Sequence, residues 1–275
     1  MDTATTFIPI AQLFKTLGSA AAPLLLDVRS PIAFQADSRM LASATWRDPA
    51  SVADWRKYLP VHRDIVVYCV RGHEISKNTC AALSEIGLRV YSLEGGAEAW
   101  KSAGLPTIQK HVGLRIPAGV NAPTKWVTRE RPKIDRVACP WLIRRFIDPT
   151  AEFIYVPAND VLSVAKTQNA IAYDVPNVQF THRGDECSFD ALLADFKLND
   201  PVLSELAVIV RGADVGQPTL TPQSAGLLAV SLGLSELYRN DHDMLAHGML
   251  VYDALYAWLK SARAEIHNAD LFKKP

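Results

Sequence analysis

Ile65-Val66-Val67-Tyr68-Cys69-Val70-Arg71-Gly72-His73-Glu74-Ile75-Ser76 is the stretch on which the fold turns. An apolar run of strand type ends in a cysteine, a polar loop over 69–74 follows, and a helical pattern runs from Ile75 to Ile86 before Gly87 ends it. A cysteine at the carboxyl end of a strand, just before a helix, faces converging backbone N–H groups and the positive end of a helix dipole. Both lower its pKa. Thiolate is the nucleophile, and a persulfide on the same sulfur is also anionic, so one cradle favours the free and the loaded state. Gly72 lets the loop turn tightly, and Arg71, His73 and Lys77 add donors around the sulfur. An inert buried thiol is the commoner fate of cysteine. The cationic, glycine-containing loop weighs against that fate here.

Upstream, Leu24-Leu25-Leu26-Asp27-Val28 is a short buried-strand run, and Arg29-Ser30-Pro31 closes it with Ser30 as N-cap and Pro31 at the first helical position. Residues 39–60 read as irregular, with Trp46 and Trp55 as core or lid aromatics. Downstream, Arg89-Val90-Tyr91-Ser92-Leu93 is a third strand, Gly95-Gly96 a turn, and Ala97 to Ala103 a short helix before Gly104 and Pro106. Cys80 lies on the helix after the cysteine loop and reads as core. Strands alternating with helices imply a parallel sheet.

Three features, in this order and spacing, make residues of about 7–106 resemble a single rhodanese domain. They are Leu26-Asp27-Val28-Arg29, Val67-Tyr68-Cys69 with its loop, and Leu93-Glu94-Gly95-Gly96 followed by Trp100 and Gly104-Leu105-Pro106. The resemblance implies that Cys69 accepts a sulfane sulfur from a small-molecule donor such as thiosulfate and passes it to a thiol acceptor. It further implies that the loop amides of Val70, Arg71, Gly72, His73 and Glu74 cradle the persulfide, with Asp27 and Arg29 in auxiliary roles. Rhodaneses that use thiosulfate often carry arginine at the last loop position, where this chain has Glu74. A carboxylate there repels a dianionic donor.

The chain of 275 residues is 49% hydrophobic and 21% charged, an ordinary globular composition with room for two domains. The N-terminus has neither a basic nor an apolar region of signal type, and no apolar run reaches membrane-span length. Cysteines at 69, 80, 139 and 187 form no C-x-x-C pair, so neither a disulfide framework nor a thiolate zinc site is signalled. A cytoplasmic location is the expectation. Net charge is zero but uneven. Residues 107–147 are basic, with Glu130 and Asp135 their only acids, whereas 148–275 are acidic. The blocks either neutralise each other or face water; a sharper reading is an anion site.

Residues 107–125, dotted with Gly113, Pro117, Gly119 and Pro123, read as a linker between a domain at 1–106 and another at 126–275. Beyond it, Trp126-Val127-Thr128, Glu152 to Val156 and Val178 to Thr181 are strand candidates. Cys139 to Ile147 reads as a helix with Pro140 at its first position, and helices follow at 189–197, 201–212, 222–232 and from about Asp241 to Ala264. The expected fold is an α/β rhodanese-like domain with a central parallel sheet, followed by a mainly helical α+β domain.

Residues of about 126–260 resemble the C-terminal domain of the chromate-resistance ChrB family. Asp135 to Phe146, Phe180-Thr181-His182, Cys187-Ser188-Phe189, Ile209 to Asp214, and Asp241-His242 through Tyr256 carry the resemblance. Full-length members are chromate-responsive regulators with a different N-terminal part, so transcriptional control is not carried over. No helix reads as a DNA-recognition helix, and neither a nucleic-acid nor a membrane partner is expected.

His182, Glu186, Asp241 and His242 offer imidazole and carboxylate ligands suited to a divalent Zn, Mn or Fe ion. The bland alternatives are a core histidine for His182 and a helix cap for Asp241. Arg136, Arg144, Arg145 and Arg183, with Arg211, suit chromate or another tetrahedral oxyanion if they converge, with Cys139 and Cys187 as reductants or ligands. The leading expectation is sulfur transfer through a Cys69 persulfide, linked to chromate resistance or thiol stress. A non-catalytic oxyanion or metal sensor, and metal-dependent chemistry in the second half, are the rivals.

Overall fold

A computed structural model describes residues 6–110 and 123–265. Its first half runs β1 (Phe7–Ile8), α1 (Ile10–Thr16), β2 (Leu24–Asp27), α2 (Pro31–Ala36), β3 (Arg39–Leu41), β4 (Ala44–Trp46), α3 (Val52–Trp55), β5 (Ile65–Tyr68), α4 (Glu74–Ser84), β6 (Val90–Leu93), α5 (Gly96–Ser102) and β7 (Thr107–Gln109). Five strands make one parallel sheet in the order β1-β6-β5-β2-β4. The winding goes from β2 out to β4 and returns to β5 on the other side of β2. That reversal opens a crevice at the carboxyl ends of the strands, which is where the Cys69 loop lies.

The two-residue period of the strands sorts their side chains between faces. Leu24, Leu26, Val28, Ile65, Val67 and Cys69 pack with Cys80 and Leu83 of α4 and with Trp55. Leu25, Val66 and Tyr68 face the other way, into a core shared with the second half of the chain. Ser30 caps α2 with Pro31 at its first position, as its sequence predicts.

Residues 39–60 are more ordered than their composition implies. They hold β3, β4 and α3, and β3 pairs antiparallel with β7. Segments this short carry too few residues for a period to show. Thr107–Gln109 therefore extends the first half rather than opening a linker, and residues 111–122 lie outside the described residues.

The second half runs β8 (Lys125–Arg129), α6 (Asp135–Leu142), β9 (Glu152–Val156), α7 (Val161–Thr167), β10 (Ile171–Ala172), α8 (Ser188–Asp195), α9 (Pro201–Asp214), α10 (Pro222–Leu237) and α11 (Asp241–Ala257). Its small parallel sheet has the order β10-β8-β9, and the remainder is helical. Pro140 sits inside α6, not at its start, and a π-helical turn over Ile143–Ile147 follows. Val178 to Thr181 is not a strand; Phe180 makes only an isolated bridge with Tyr173.

The two halves pack as one body. Ser43 N–H donates to the Phe146 carbonyl at 2.6 Å, and Lys260 Nζ donates to the Phe14 and Leu17 carbonyls. At Gly18 (φ +84°) a Cβ would lie 2.4 Å from the Tyr256 ring and 2.8 Å from that of Phe146. Among the described residues no helix is long and apolar enough to cross a membrane.

Candidate functional site

Cys69 follows β5 directly, and α4 begins five residues later with His73 as its N-cap. Glycines set the loop between them. Gly72 has φ +72° with room for no Cβ, since one would lie 2.6 Å from the Leu93 carbonyl oxygen. Gly96 has φ +57°, and its Cβ would lie 2.5 Å from the Cys69 carbonyl oxygen. Such close approach lets the Ala97 and Glu98 N–H groups donate to the carbonyls of Cys69 and Val70 at 2.9 and 3.0 Å. With these carbonyls tied to α5, the loop amides are left to face the sulfur.

Cys69 is 5% exposed, and burial pushes its thiol up. Hydrogen bonds from the Ser76 side chain and from the N–H groups of Ser76, His73 and Arg71 outweigh burial and hold the thiol below its ordinary value. Ser76 Oγ lies 3.5 Å from Sγ, and Ser92 Oγ donates to Ser76 Oγ at 3.1 Å. Sequence reasoning missed both serines as parts of the site. Ser76 stands in the decisive stretch, but only the fold brings Ser92 of β6 behind it.

Two of the three side chains expected to surround the sulfur are occupied elsewhere. Arg71 pairs with Glu98 at 3.0 Å, and Lys77 lies over the Phe7 ring. Backbone amides and the start of α4 therefore supply the local positive potential. Val70 is half-buried, and Glu74 is the exposed first residue of α4. Asp27 and Arg29 form a buried pair at 2.6 Å, joined by Tyr68 Oη–H, which donates to Asp27 at 2.9 Å. Tyr68 and Cys69 alternate in direction along the chain, so this pair braces the opposite face of the sheet. Arg29 also bonds Asp37 and the Arg39 carbonyl, tying the end of β2 to β3.

The other cysteines lack such support. Burial pushes the Cys80 thiol up to about 12, and burial with nearby carboxylates raises Cys139 and Cys187 well above the ordinary thiol value. They are poor reductants in this state.

A second cluster forms around His182, with different partners from those its sequence neighbourhood implies. His182 Nε2 lies 3.2 Å from Asp214 Oδ2 at the end of α9, 3.4 Å from Asp174 Oδ1, and 3.7 Å from Asp135 Oδ2 at the start of α6. Among the described residues, Asp135, His182 and Asp214 are the one group of three potential ligands whose donor atoms all lie within 4.8 Å of one another. Glu186, Asp241 and His242 do not join it. Arg183 and Glu186 close a turn rather than a helix, so a spacing of four does not put Glu186 beside His182. Asp241 accepts the Arg131 N–H at 3.0 Å, and His242 packs edge-on against Tyr155. Asn240, not Asp241, caps α11.

The expected oxyanion arginines do not converge either. Arg136 donates to the Arg129 and Glu130 carbonyls and pairs with Asp174 at 3.4 Å. Arg144 donates to the Ala151 carbonyl and covers the Phe153 ring. Arg145 grips Asp253 and Arg183 grips Asp195 through two bonds each, and Arg211 pairs with Asp190. The basic block meets the acidic one pairwise.

This geometry agrees with the chain's likeness to known proteins. Residues 11–103 match the rhodanese-like domain model, and residues 126–259 match the model of the ChrB C-terminal domain. The chain belongs to the rhodanese-like family through its first half and carries a ChrB C-terminal domain in its second. It is 34% identical over 80 residues to the thiosulfate sulfurtransferase GlpE of Pseudomonas syringae, covering 29% of this chain and 73% of that protein. It is 40% identical over 140 residues to protein ChrB of Cupriavidus metallidurans, covering 50% of this chain but only 42% of that protein. A solved rhodanese-related protein from Thermoplasma volcanium is 26% identical, with a TM-score of 0.34, over 38% of this chain and 99% of that one.

Proposed function

We propose that this chain is a rhodanese-type sulfurtransferase that carries sulfane sulfur on Cys69 and works in a setting of chromate resistance or thiol stress. The observation that carries the reading is the seat of Cys69 at the end of β5, just before α4 begins, with Ser76 Oγ 3.5 Å from its sulfur; these surroundings hold its thiol below the ordinary value while Cys80, Cys139 and Cys187 are raised. The Cys69 thiolate attacks the outer sulfur of the donor. A new S–S bond forms on Sγ, and the donor's S–S bond breaks with its electron pair leaving on sulfite or on a thiolate. An acceptor thiolate then attacks the outer sulfur of the persulfide and returns Cys69 as thiolate. The amides that stabilise the thiolate also stabilise the anionic persulfide and the charge shared between sulfurs during transfer.

The charges around the loop favour a donor of low charge. Arg71 is paired with Glu98, Lys77 lies over Phe7, and Glu74 adds a negative charge where α4 begins. A singly charged thiol persulfide such as cysteine persulfide fits better than dianionic thiosulfate. The likeness to ChrB supports the chromate-resistance setting.

The test is steady-state sulfur transfer to a thiol acceptor from cysteine persulfide and from thiosulfate, with the wild type beside Cys69→Ser. Turnover that is faster with the persulfide and abolished by the substitution is expected. Equal rates in wild type and Cys69→Ser, or no turnover with either donor, would overturn the reading.

A further inference from the structure

We propose that His182, Asp135 and Asp214 form a binding site for one divalent transition-metal ion, with His182 Nε2 and one oxygen of each carboxylate as ligands and Asp174 beside them. The first argument is geometric. Three carboxylate oxygens, from the start of α6, the segment after β10 and the end of α9, surround a single imidazole nitrogen at 3.7, 3.4 and 3.2 Å. One N–H can be directed at one acceptor, so a hydrogen bond explains one of these contacts and leaves two. Ligands bound at about 2.0–2.2 Å to a tetrahedral ion lie roughly 3.3–3.5 Å apart; the Asp214 and Asp135 oxygens lie 3.2 and 3.7 Å from His182 Nε2, and the three donor atoms are all within 4.8 Å of one another.

The second argument is how firmly each carboxylate is aimed. Asp135 accepts the N–H groups of Ser188 and Phe189 at 2.7 and 3.1 Å, and the Cys139 thiol at 3.1 Å. Asp174 accepts Ser188 Oγ–H at 3.0 Å and Arg129 at 2.9 Å. The backbone N–H of Asp135 donates to Asp214. Outer partners that fix the ligand carboxylates in this way are the usual support of a metal site. Asp135 is almost fully buried, while His182 remains 41% exposed, so an ion has a route in and a solvent-facing position for a further ligand.

The donor set selects the ion. One imidazole with two carboxylates and no thiolate suits Zn²⁺, Mn²⁺ or Fe²⁺ and disfavours Cu⁺. The Cys139 proton points at Asp135, which places that sulfur behind the ligand shell. This site does not depend on the sulfurtransferase reading, because neither Cys69 nor its loop contributes to it.

The experiment uses the full chain, stripped with a chelator and dialysed against Zn²⁺ or Mn²⁺, with bound metal counted by elemental analysis. About one ion per chain is expected. Affinity should fall by at least about tenfold in Asp214→Asn and His182→Gln and should be unchanged in Glu186→Gln and His242→Ala. Proton NMR of the wild type with substoichiometric Mn²⁺ provides a reading that needs no variant: the His182 ring signals should broaden before those of any other histidine. No stoichiometric binding, binding indifferent to His182→Gln and Asp214→Asn, or broadening that spares His182 would each overturn the proposal.

Discussion

Ser76 has one hydroxyl proton and two uses for it. Its oxygen lies 3.0 Å from the His73 carbonyl and 3.5 Å from Cys69 Sγ, and Ser92 donates to it from behind. When Cys69 ionises, the proton can turn from the carbonyl to the sulfur while Ser92 keeps the Ser76 oxygen satisfied. Ser76→Ala removes that donor and should raise the Cys69 pKa by up to about one unit. The sign follows directly: thiolate rises with pH, so alkylation by iodoacetamide should be up to about tenfold slower in the variant near neutral pH and equal at high pH. Superimposable pH profiles would show that the amides act alone. Glu74→Arg replaces a carboxylate by a guanidinium at the start of α4 and should speed thiosulfate turnover about three- to tenfold, with little effect on a neutral donor. An unchanged thiosulfate rate would contradict the charge argument. At this scale the sequence located Cys69 and its loop, because strand, cysteine, glycine and helix follow in one line. It credited Arg71, His73 and Lys77 with work that backbone amides do, since the direction of an N–H is set by φ and ψ rather than by residue type.

Among the elements, α5 matters to the site although it contributes no side chain to the sulfur. Its first N–H groups hold the Cys69 and Val70 carbonyls, and Gly96 permits the contact. Gly96→Ala combines a positive φ with a clash against backbone and should cost about 2 kcal/mol or more, read by urea unfolding. Gly104 has φ +66° with nothing within 4 Å of a built Cβ, so Gly104→Ala should cost only about 1 kcal/mol. Equal costs would remove the special role of the α5 contact. Elements with long, clean patterns were legible: β5, α4, and α9 with Asp200 as cap and Pro201 at its first position. Strands β3, β4 and β7 were not, because three residues define no period. Pro140 misled for another reason. Proline favours the first turn of a helix, but packing carries α6 through it, with Val137, Ala138, Trp141 and Leu142 all buried.

On the scale of the whole molecule, the halves share one hydrophobic core that joins Leu25, Tyr68 and Trp100 to Trp141, Phe146 and Tyr256. Two separately folding domains would not leave Gly18 pressed on Tyr256. Gly18→Ala, at a positive φ and facing that clash, should lower stability by about 2 kcal/mol or more and should do so in one cooperative transition. Tryptophan fluorescence and Cys69 alkylation would then lose native signal at the same urea concentration; separate midpoints would contradict a common core. The same packing explains why the second-half cluster was only partly legible. His182 stood out in sequence with Asp174 close by, but Asp135 and Asp214 come from segments far from it in the chain and meet it only once α6, α8 and α9 have packed. The opposite charge blocks followed the plainer of their two readings, as Arg129 and Arg136 with Asp174 and Arg145 with Asp253 show. The central claim is a covalent one, and the intact mass of the whole chain tests it most directly. After incubation with cysteine persulfide and removal of excess donor, the wild type should gain one sulfur, about 32 Da, which a thiol reductant removes and which Cys69→Ala never acquires. A wild type that gains no sulfur, or a Cys69→Ala chain that gains the same mass, would contradict the account.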